Sequence, residues 1–226
     1  MALAVLVMGA GADRQSLTEA AKTGDREALR ALLKQGAKVA APEGDGTTAL
    51  HWASYRDDLE SAELLILAGA PVNAANDLGA TPLWAASQNA SVAMVRRLLR
   101  AGANPNLALL SGETPLMVAS RAGSANVVEQ LLAARADPNA RGTRGQTALM
   151  WAVAQKHQDV VKVLLAHGVN VQARSDTYNE VMAVSPHGLT DDLCFTSGRE
   201  LARLIRARKV SAREVMAGHL PQIERL

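Results

Sequence analysis

The chain has 226 residues, 48% of them hydrophobic and 20% charged, which is typical of a protein that folds around a core. It carries only three Trp, two Tyr and one Phe, so the core must be built from small and branched side chains, and stacked helices are favoured over a β-sandwich. The net charge is +2, and the single Cys194 excludes an internal disulfide or a cysteine metal cluster.

The N-terminus is apolar over residues 2–8 and then reads Ala-Gly-Ala at 10–12, a small-residue pattern similar to a signal-peptidase site. Arg14 is the first basic residue, so the positive region of a secretory signal is missing. Two interpretations stay open for residues 1–12: a truncated signal peptide on an exported (periplasmic or extracellular) protein, or a frayed end on a cytoplasmic one. No apolar run approaches the roughly 18 residues of a spanning helix, so we expect no membrane span.

A fixed 33-residue period organises the next part of the chain. The phrases "TALHWAS", "TPLWAAS", "TPLMVAS" and "TALMWAV" begin 33 residues apart, at Thr48, Thr81, Thr114 and Thr147. A second phrase, "LLxxGA" or a close variant, keeps the same step and ends around Gly36, Gly69, Gly102, Arg135 and Gly168. The two phrases together define five units, the first of which begins near Ser16.

Each phrase predicts a helix boundary. The threonines can cap a first helix with their hydroxyls, and Pro82 and Pro115 stand at the first helical position, where a missing N–H costs nothing. The glycines of the second phrase favour a left-handed residue at the end of a second helix. Arg135 replaces that glycine in the fourth unit, so we expect local strain there or a different cap.

The two phrases in this register resemble the ankyrin repeat, whose signature combines T-P-L-H-x-A with a second helix ending in L-L-x-x-G-A-D-V-N. The resemblance implies an all-α ankyrin-repeat solenoid over residues 13–174, built of helix-turn-helix units with projecting β-hairpin fingers. It also implies a non-enzymatic module that binds a protein partner through the fingers and a concave face.

In that family the partner usually meets the finger tips and the solvent side of the first helices. Carried over by register, the resemblance implies a partner-binding set of Asp45, Tyr55, Arg56, Asp77, Leu78, Trp84, Gln88, Asn89, Leu110, Ser111, Arg121, Thr143, Arg144 and Gln155.

The finger "NLALLSGE" is unusually apolar. Leu107, Leu109 and Leu110 could form a contact patch with Leu78 on the preceding finger, because exposed apolar clusters mark interaction sites. Alternatively, Leu107 and Leu109 pack between neighbouring fingers and only Leu110 is exposed.

The tryptophans and histidines divide by register. Trp52 and Trp151 fall where a core leucine usually sits, so we expect them in the core, whereas Trp84 replaces the motif histidine and is either a binding anchor or a structural residue. His51 occupies the motif position and should hydrogen-bond within the turn network, and His157 matches the family's histidine at the start of the second helix.

No catalytic motif occurs: P-loop, G-x-G-x-x-G, G-x-S-x-G and H-E-x-x-H patterns are all missing from the sequence. His167, His187 and His219 share no spacing that would make a metal site. We therefore expect a monomeric, non-enzymatic protein without metal or cofactor, and with a protein rather than a nucleic acid as partner. A purely structural scaffold is a further alternative.

The register weakens after about residue 174, where Pro186 interrupts the helix that a sixth unit would need. We expect an irregular linker over 175–196 and a short helical tail over 197–226, with capping boxes at Ser197 and Ser211. Seven Lys or Arg against three Asp or Glu make this tail basic, and a solvated amphipathic helix is favoured over a nucleic-acid patch.

The segment "DLCFTSGRELARLIRARKVSAREVMAGHLPQIERL" resembles the extreme N-terminal helical hairpin of amidase-signature enzymes. The catalytic lysine and two serines of that family would lie beyond residue 226, and no residue of this chain matches them. The resemblance implies an alternative in which the chain is the N-terminal fragment of an ankyrin-amidase fusion that lacks its catalytic core.

Overall fold

A computed structural model describes residues 16–176, and within this range the chain forms ten α-helices and no β-strand. The helices are α1 (Leu17–Thr23), α2 (Arg26–Lys34), α3 (Ala49–Tyr55), α4 (Leu59–Leu67), α5 (Pro82–Gln88), α6 (Val92–Arg100), α7 (Pro115–Ala122), α8 (Ala125–Ala133), α9 (Ala148–Ala154) and α10 (Gln158–Ala166).

The helices form five pairs that stack into two layers. The first helices of the pairs (α1, α3, α5, α7, α9) contact one another in chain order, and the second helices (α2, α4, α6, α8, α10) do the same. Leu50, Leu83 and Leu116 of the first layer are at most 1% exposed, and Leu65 and Leu98 of the second layer are fully buried. The predicted all-α repeat solenoid is confirmed.

The predicted helix starts are also confirmed. The Oγ1 atoms of Thr81, Thr114 and Thr147 accept a hydrogen bond of 3.2–3.3 Å from the N–H of the third helical residue. Pro82 and Pro115 are the first residues of α5 and α7. Because each cap satisfies an N–H that has no partner within the helix, the threonines fix where the first helices begin.

His51 closes the start of α3 and joins two repeats. Its Nδ1 lies 3.1 Å from the backbone N of Thr48 and 2.9 Å from the Thr48 hydroxyl, while its Nε2 lies 2.9 Å from the carbonyl oxygen of Ala80. Nδ1 accepts from the Thr48 N–H, so Nε2 carries the proton and donates to Ala80. Burial lowers the pKa of His51, which favours this neutral form. The structural role expected of His51 is confirmed.

A residue in the left-handed conformation follows the second helix of each pair. Gly36, Gly69, Gly102 and Gly168 have φ between 73° and 89°, and Arg135 takes the same conformation at 67°. The Arg135 N–H donates to the Leu132 carbonyl at 2.9 Å, as the Gly102 N–H donates to the Leu99 carbonyl at 3.1 Å. Arg135 thus keeps the common cap and bears the strain of a side chain in this region. A Cβ at the four equivalent glycines would meet nothing within 4 Å, so the site has room for arginine.

A second set of residues with left-handed backbone conformation, not expected from the sequence, follows the first helices. Gly24, Asp57, Ala90, Gly123 and Lys156 occupy equivalent positions 33 residues apart, and their φ angles lie between 56° and 81°. Only two of the five are glycines, so composition gave little sign of the conformation.

The fingers are tight turns rather than strands. In the finger that follows α4, the Asn76 N–H donates to the Ala80 carbonyl at 3.0 Å, and the Gly79 N–H donates back to the Asn76 carbonyl at 2.8 Å. Gly46, Gly112 and Gly145 close the other three fingers in the same way, all with φ between 71° and 82°. A Cβ on any of these four glycines would lie 3.0–3.2 Å from the backbone of the next finger.

The repeat register reaches the last described residue. The Asp176 N–H donates to the Arg144 carbonyl at 2.9 Å, the bond that joins each finger to the one before it. The predictions for residues 1–12, for the linker after Asp176 and for the tail 197–226 lie outside the described residues, as do Cys194, His187 and His219.

Two glycines with the same backbone conformation should differ in their tolerance of alanine. Gly102→Ala adds a methyl group in open space at φ 89°; the left-handed strain exceeds the reduced freedom of the unfolded chain, so the free energy of unfolding should fall by about 0.5–1 kcal/mol. Gly112→Ala places a Cβ 3.0 Å from Gly142 Cα, so its loss should be clearly larger. Urea unfolding followed by circular dichroism measures both. Equal losses would show that the close approach of the fingers carries no energetic weight.

Replacing Arg135 should stabilise the protein. Arg135→Gly removes a left-handed side chain that costs about 1–2 kcal/mol, against about 0.5–1 kcal/mol for the greater freedom of glycine in the unfolded chain. The expected gain is about 0.5–1 kcal/mol in urea unfolding. Arg135→Ala keeps the Cβ and should give no gain, and a gain from alanine equal to that from glycine would contradict the explanation.

Candidate protein-binding face

The finger tips form a continuous row that backbone hydrogen bonds join. The Asp77 N–H donates to the Asp45 carbonyl at 2.8 Å, and the next two steps, Leu110 to Leu78 and Thr143 to Ser111, are each 2.9 Å. We call this set the finger row, and its side chains are Asp45, Asp77, Leu78, Leu110, Ser111, Thr143 and Arg144. All seven are exposed. The seven predicted finger-tip residues are therefore brought together on one edge of the solenoid.

The apolar finger has one exposed leucine. Leu110 is 77% exposed, while Leu107 and Leu109 are half-buried against their neighbours, as the second alternative of the sequence analysis proposed. Leu78, 67% exposed, lies on the preceding finger and accepts the Leu110 backbone hydrogen bond. The two exposed leucines consequently lie on adjacent fingers at the middle of the row.

Asp45 presents a stable negative charge at the start of the row. Its carboxylate accepts hydrogen bonds of 2.9 Å from both the N–H and the hydroxyl of Thr47. These bonds hold the pKa of Asp45 below its usual value, so the carboxylate stays ionised to a lower pH than an ordinary aspartate does. The same bonds stiffen the turn that carries it.

The predicted residues on the first helices differ in their exposure to solvent. Tyr55, at the end of α3, is 55% exposed, and Gln88, at the equivalent end of α5, and Gln155, directly after α9, are also exposed. Trp84 and Arg121 are half-buried. Only part of the predicted set is therefore free for a partner on this side.

Two of the predicted residues already donate hydrogen bonds to backbone carbonyls at helix ends. Arg56 Nη1 donates to the Lys22 carbonyl at the end of α1, at 3.2 Å. Asn89 Nδ2 donates to the carbonyls of Tyr55 and Ser54 at the end of α3, the second at 3.4 Å. The last carbonyls of a helix have no partner within it, so these side chains stabilise the stack. Both remain exposed, but a partner would compete with these bonds.

Trp52 belongs to a polar and aromatic cluster rather than to the core. Its ring meets Tyr55 edge-on at 6.1 Å between centroids, Lys22 Nζ lies 5.1 Å from its centre, and its Nε1 donates to Glu43 at 3.3 Å. The residues equivalent to Trp52 and Trp151 in the middle repeats are the buried Ala85 and Val118. Trp52 and Trp151, in contrast, are half-buried and pack against the core rather than within it. The prediction of two core tryptophans was wrong in this respect.

Trp84 has no accessible hydrogen-bond donor for a partner. Its Nε1 is buried and has no hydrogen-bond partner within the described part of the chain. An N–H that solvent does not reach cannot donate to an arriving protein, so only the exposed part of the ring is available. The anchor interpretation of Trp84 is thereby limited to apolar contact.

Arg121 is held by two neighbours. Its Nη1 lies 2.7 Å from Glu113 Oε1, and its guanidinium stacks 5.2 Å from the centre of the Trp151 ring. Burial raises the pKa of Glu113 above its usual value, and the charge of Arg121 acts in the opposite direction. Glu113 and Glu43 recur at no 33-residue period, so the sequence gave no signal for them, whereas Lys22 lies three 33-residue steps before Arg121 and makes the same contact with Trp52 as Arg121 does with Trp151.

Within residues 16–176, no group of three or more His, Cys, Asp or Glu side chains is placed to hold a metal ion. No helix in this described part of the chain is long and apolar enough to cross a membrane.

Arg121→Gln should destabilise the protein in a pH-dependent way. Without the arginine the pKa of Glu113 should rise further, and its ionisation then costs the folded state more. This part of the loss is present above the folded-state pKa of Glu113 in the variant, and it disappears as pH falls below the folded-state pKa in the unaltered protein, because Glu113 is then protonated in both. The lost stacking on Trp151 persists at all pH values.

We expect a total loss of about 1 kcal/mol at pH 7 and a smaller one at pH 3.5, measured by urea unfolding. The Glu113 titration itself can be followed by carboxyl NMR in both proteins. A loss that does not change between the two pH values would exclude the Glu113 contribution.

The periodic sequence and the paired helices agree with comparisons to known proteins. Family models of ankyrin repeats match in three places: one for three copies matches residues 56–142 and 83–175, and one for many copies matches residues 17–66. A search of curated proteins found no match. The matched ranges together run from residue 17 to residue 175, well over half of the chain. The chain belongs to the ankyrin-repeat family.

Proposed function

We propose that the protein is a non-enzymatic interaction module that binds a protein partner through the finger row and the exposed ends of the first helices. Ankyrin repeats support a protein-protein interaction role in general, and the family is typically non-catalytic. The observation that carries the proposal is the pair of exposed leucines, Leu78 and Leu110, on hydrogen-bonded neighbouring fingers.

Exposed apolar side chains on a rigid frame favour binding for two reasons. Covering Leu78 and Leu110 removes apolar surface from water, which contributes about 25 cal/mol per Å². The fingers are already ordered by their backbone bonds, so little conformational entropy is lost when a partner arrives. Tyr55 adds a second exposed anchor on the first-helix side.

The side chains of this protein that we expect to contribute most to binding are therefore Leu110, Tyr55 and, more weakly, Trp84. Substituting each with alanine should reduce capture of interacting proteins, which we would measure by crosslinking and affinity pull-down with the purified chain as bait. The expected loss is about tenfold for Leu110→Ala and Tyr55→Ala, corresponding to about 1–2 kcal/mol. Trp84→Ala should lose less binding and more stability, since its ring is half-buried.

Leu67→Ala provides the matched control. Leu67 is 74% exposed, like Leu110, but lies at the end of a second helix, in the other layer. The substitution removes the same side chain from a comparably exposed position. Equal partner loss from Leu67→Ala and Leu110→Ala, or no loss from any of the finger and first-helix variants, would refute the assignment of this face.

The amidase-like tail supports a separate alternative, a fragment of an ankyrin-amidase fusion. No observation within residues 16–176 favours it, and the tail lies outside the described residues. Sequencing the genomic DNA past the codon for Leu226 tests it directly. An open frame encoding a Gly/Ser-rich segment would support the fusion, and an immediate stop codon would count against it.

A further inference from the structure

The exposed side chains of the finger row change polarity in a fixed order along the solenoid. The first two fingers carry the carboxylates of Asp45 and Asp77, the middle tips carry Leu78 and Leu110, and the last carries Arg144. Backbone hydrogen bonds join the fingers in chain order, so acidic, apolar and basic groups follow one another in line.

The charges at both ends of the row are available to a partner. Among the ion pairs formed within residues 16–176, none includes Asp45, Asp77, Arg141 or Arg144. Arg141 donates through one guanidinium nitrogen to the Arg174 carbonyl at 2.6 Å, and no carboxylate of residues 16–176 forms an ion pair with it. The exposed Asp176, whose N–H donates to the Arg144 carbonyl, adds one negative charge beside the two arginines, so this end keeps a net positive charge. Each end of the row therefore presents a net charge, and the two charges are opposite in sign.

The backbone of the row, in contrast, is largely occupied. The N–H groups of Asp77, Leu110 and Thr143 donate to the preceding finger, and the Arg144 carbonyl accepts from Asp176. A partner cannot add a β-strand along groups that are already paired. Recognition along the row must then depend on side chains, and the order of their polarity determines which segment fits.

We propose that the finger row binds an extended segment of a protein partner that is basic at one end, apolar in the middle and acidic at the other end. This inference rests on the proposed function and specifies the partner's chemistry. The basic end lies along Asp45 and Asp77, the apolar residues cover Leu78 and Leu110, and the acidic end lies along Arg144.

The length of the segment follows from the stacking of the repeats. Packed helices lie about 8–10 Å apart, and an extended chain advances about 3.3 Å per residue. One finger thus corresponds to about three partner residues, and the four fingers to about ten to twelve.

The test uses three fluorescent peptides of about twelve residues. All have two leucines at the centre and Gly or Ser between; one has lysines at one end and glutamates at the other, one has lysines at both ends, and one has glutamates at both ends. Fluorescence anisotropy with the full chain should give the tightest binding for the mixed-end peptide, by about two- to fivefold over either control at low salt. The difference should shrink as salt rises.

Reversing a charge in the finger row then identifies where each end of the bound peptide lies. Arg144→Glu should weaken the mixed-end peptide about two- to fivefold and strengthen the peptide with lysines at both ends by a similar factor. Arg100→Glu is the control, because Arg100 is exposed at the end of α6 and the substitution changes net charge equally. Circular dichroism confirms that both variants fold.

Three results would overturn the inference: no binding of the mixed-end peptide to the unaltered chain, equal binding of the three peptides, or equal effects of Arg144→Glu and Arg100→Glu. None of them would refute the proposed function if Leu110→Ala still reduces partner capture. Loss of peptide discrimination together with an inert Leu110→Ala variant would refute both.

Discussion

The close approach of neighbouring finger backbones is the constraint on which the rest of the structure depends. At Gly79 the backbone has a positive φ, and a Cβ would lie 3.0 Å from the Ala108 carbonyl oxygen of the next finger. The contact brings the finger amides within hydrogen-bonding distance, and the Leu110 N–H to Leu78 carbonyl bond is 2.9 Å. A repeat of any other length would move the glycine away from its neighbour. The 33-residue step therefore keeps the fingers, the helix caps and the buried leucines in register together.

Other contacts between repeats tolerate more variety because their requirement is chemical rather than steric. The exposed carbonyls at the ends of first helices accept from Arg56 in one repeat, Asn89 in the next and the His157 ring at 3.0 Å in the last. Any donor of sufficient reach satisfies such a carbonyl. Asn73 and Asn106 are more regular: each carboxamide oxygen accepts at 2.8 Å from the backbone of the next repeat.

This difference explains how much the sequence could predict. Helix starts, finger glycines and the two-layer stack follow local rules repeated every 33 residues, so Thr81 and Pro82 were sufficient to place a helix. The cluster around Trp52 was predictable only in part. A cation recurs on the tryptophan, since Lys22 over Trp52 and Arg121 over Trp151 are each related by three 33-residue steps, but Glu43 recurs in no other unit. Register alone also placed Trp52 in the core, whereas its ring packs against the core and stays half-buried.

The candidate site has the same division between periodic and individual features. Register identified which positions reach the surface, and the finger row is exposed as expected, but it could not identify which exposed residues were already bonded. Arg56 and Asn89 support the stack, and Trp84 keeps its N–H buried. Binding at Arg56 or Asn89 would have to replace internal bonds, whereas Leu110 gives up only its contact with water. Selectivity is therefore expected to depend more on the finger row than on the ends of the first helices.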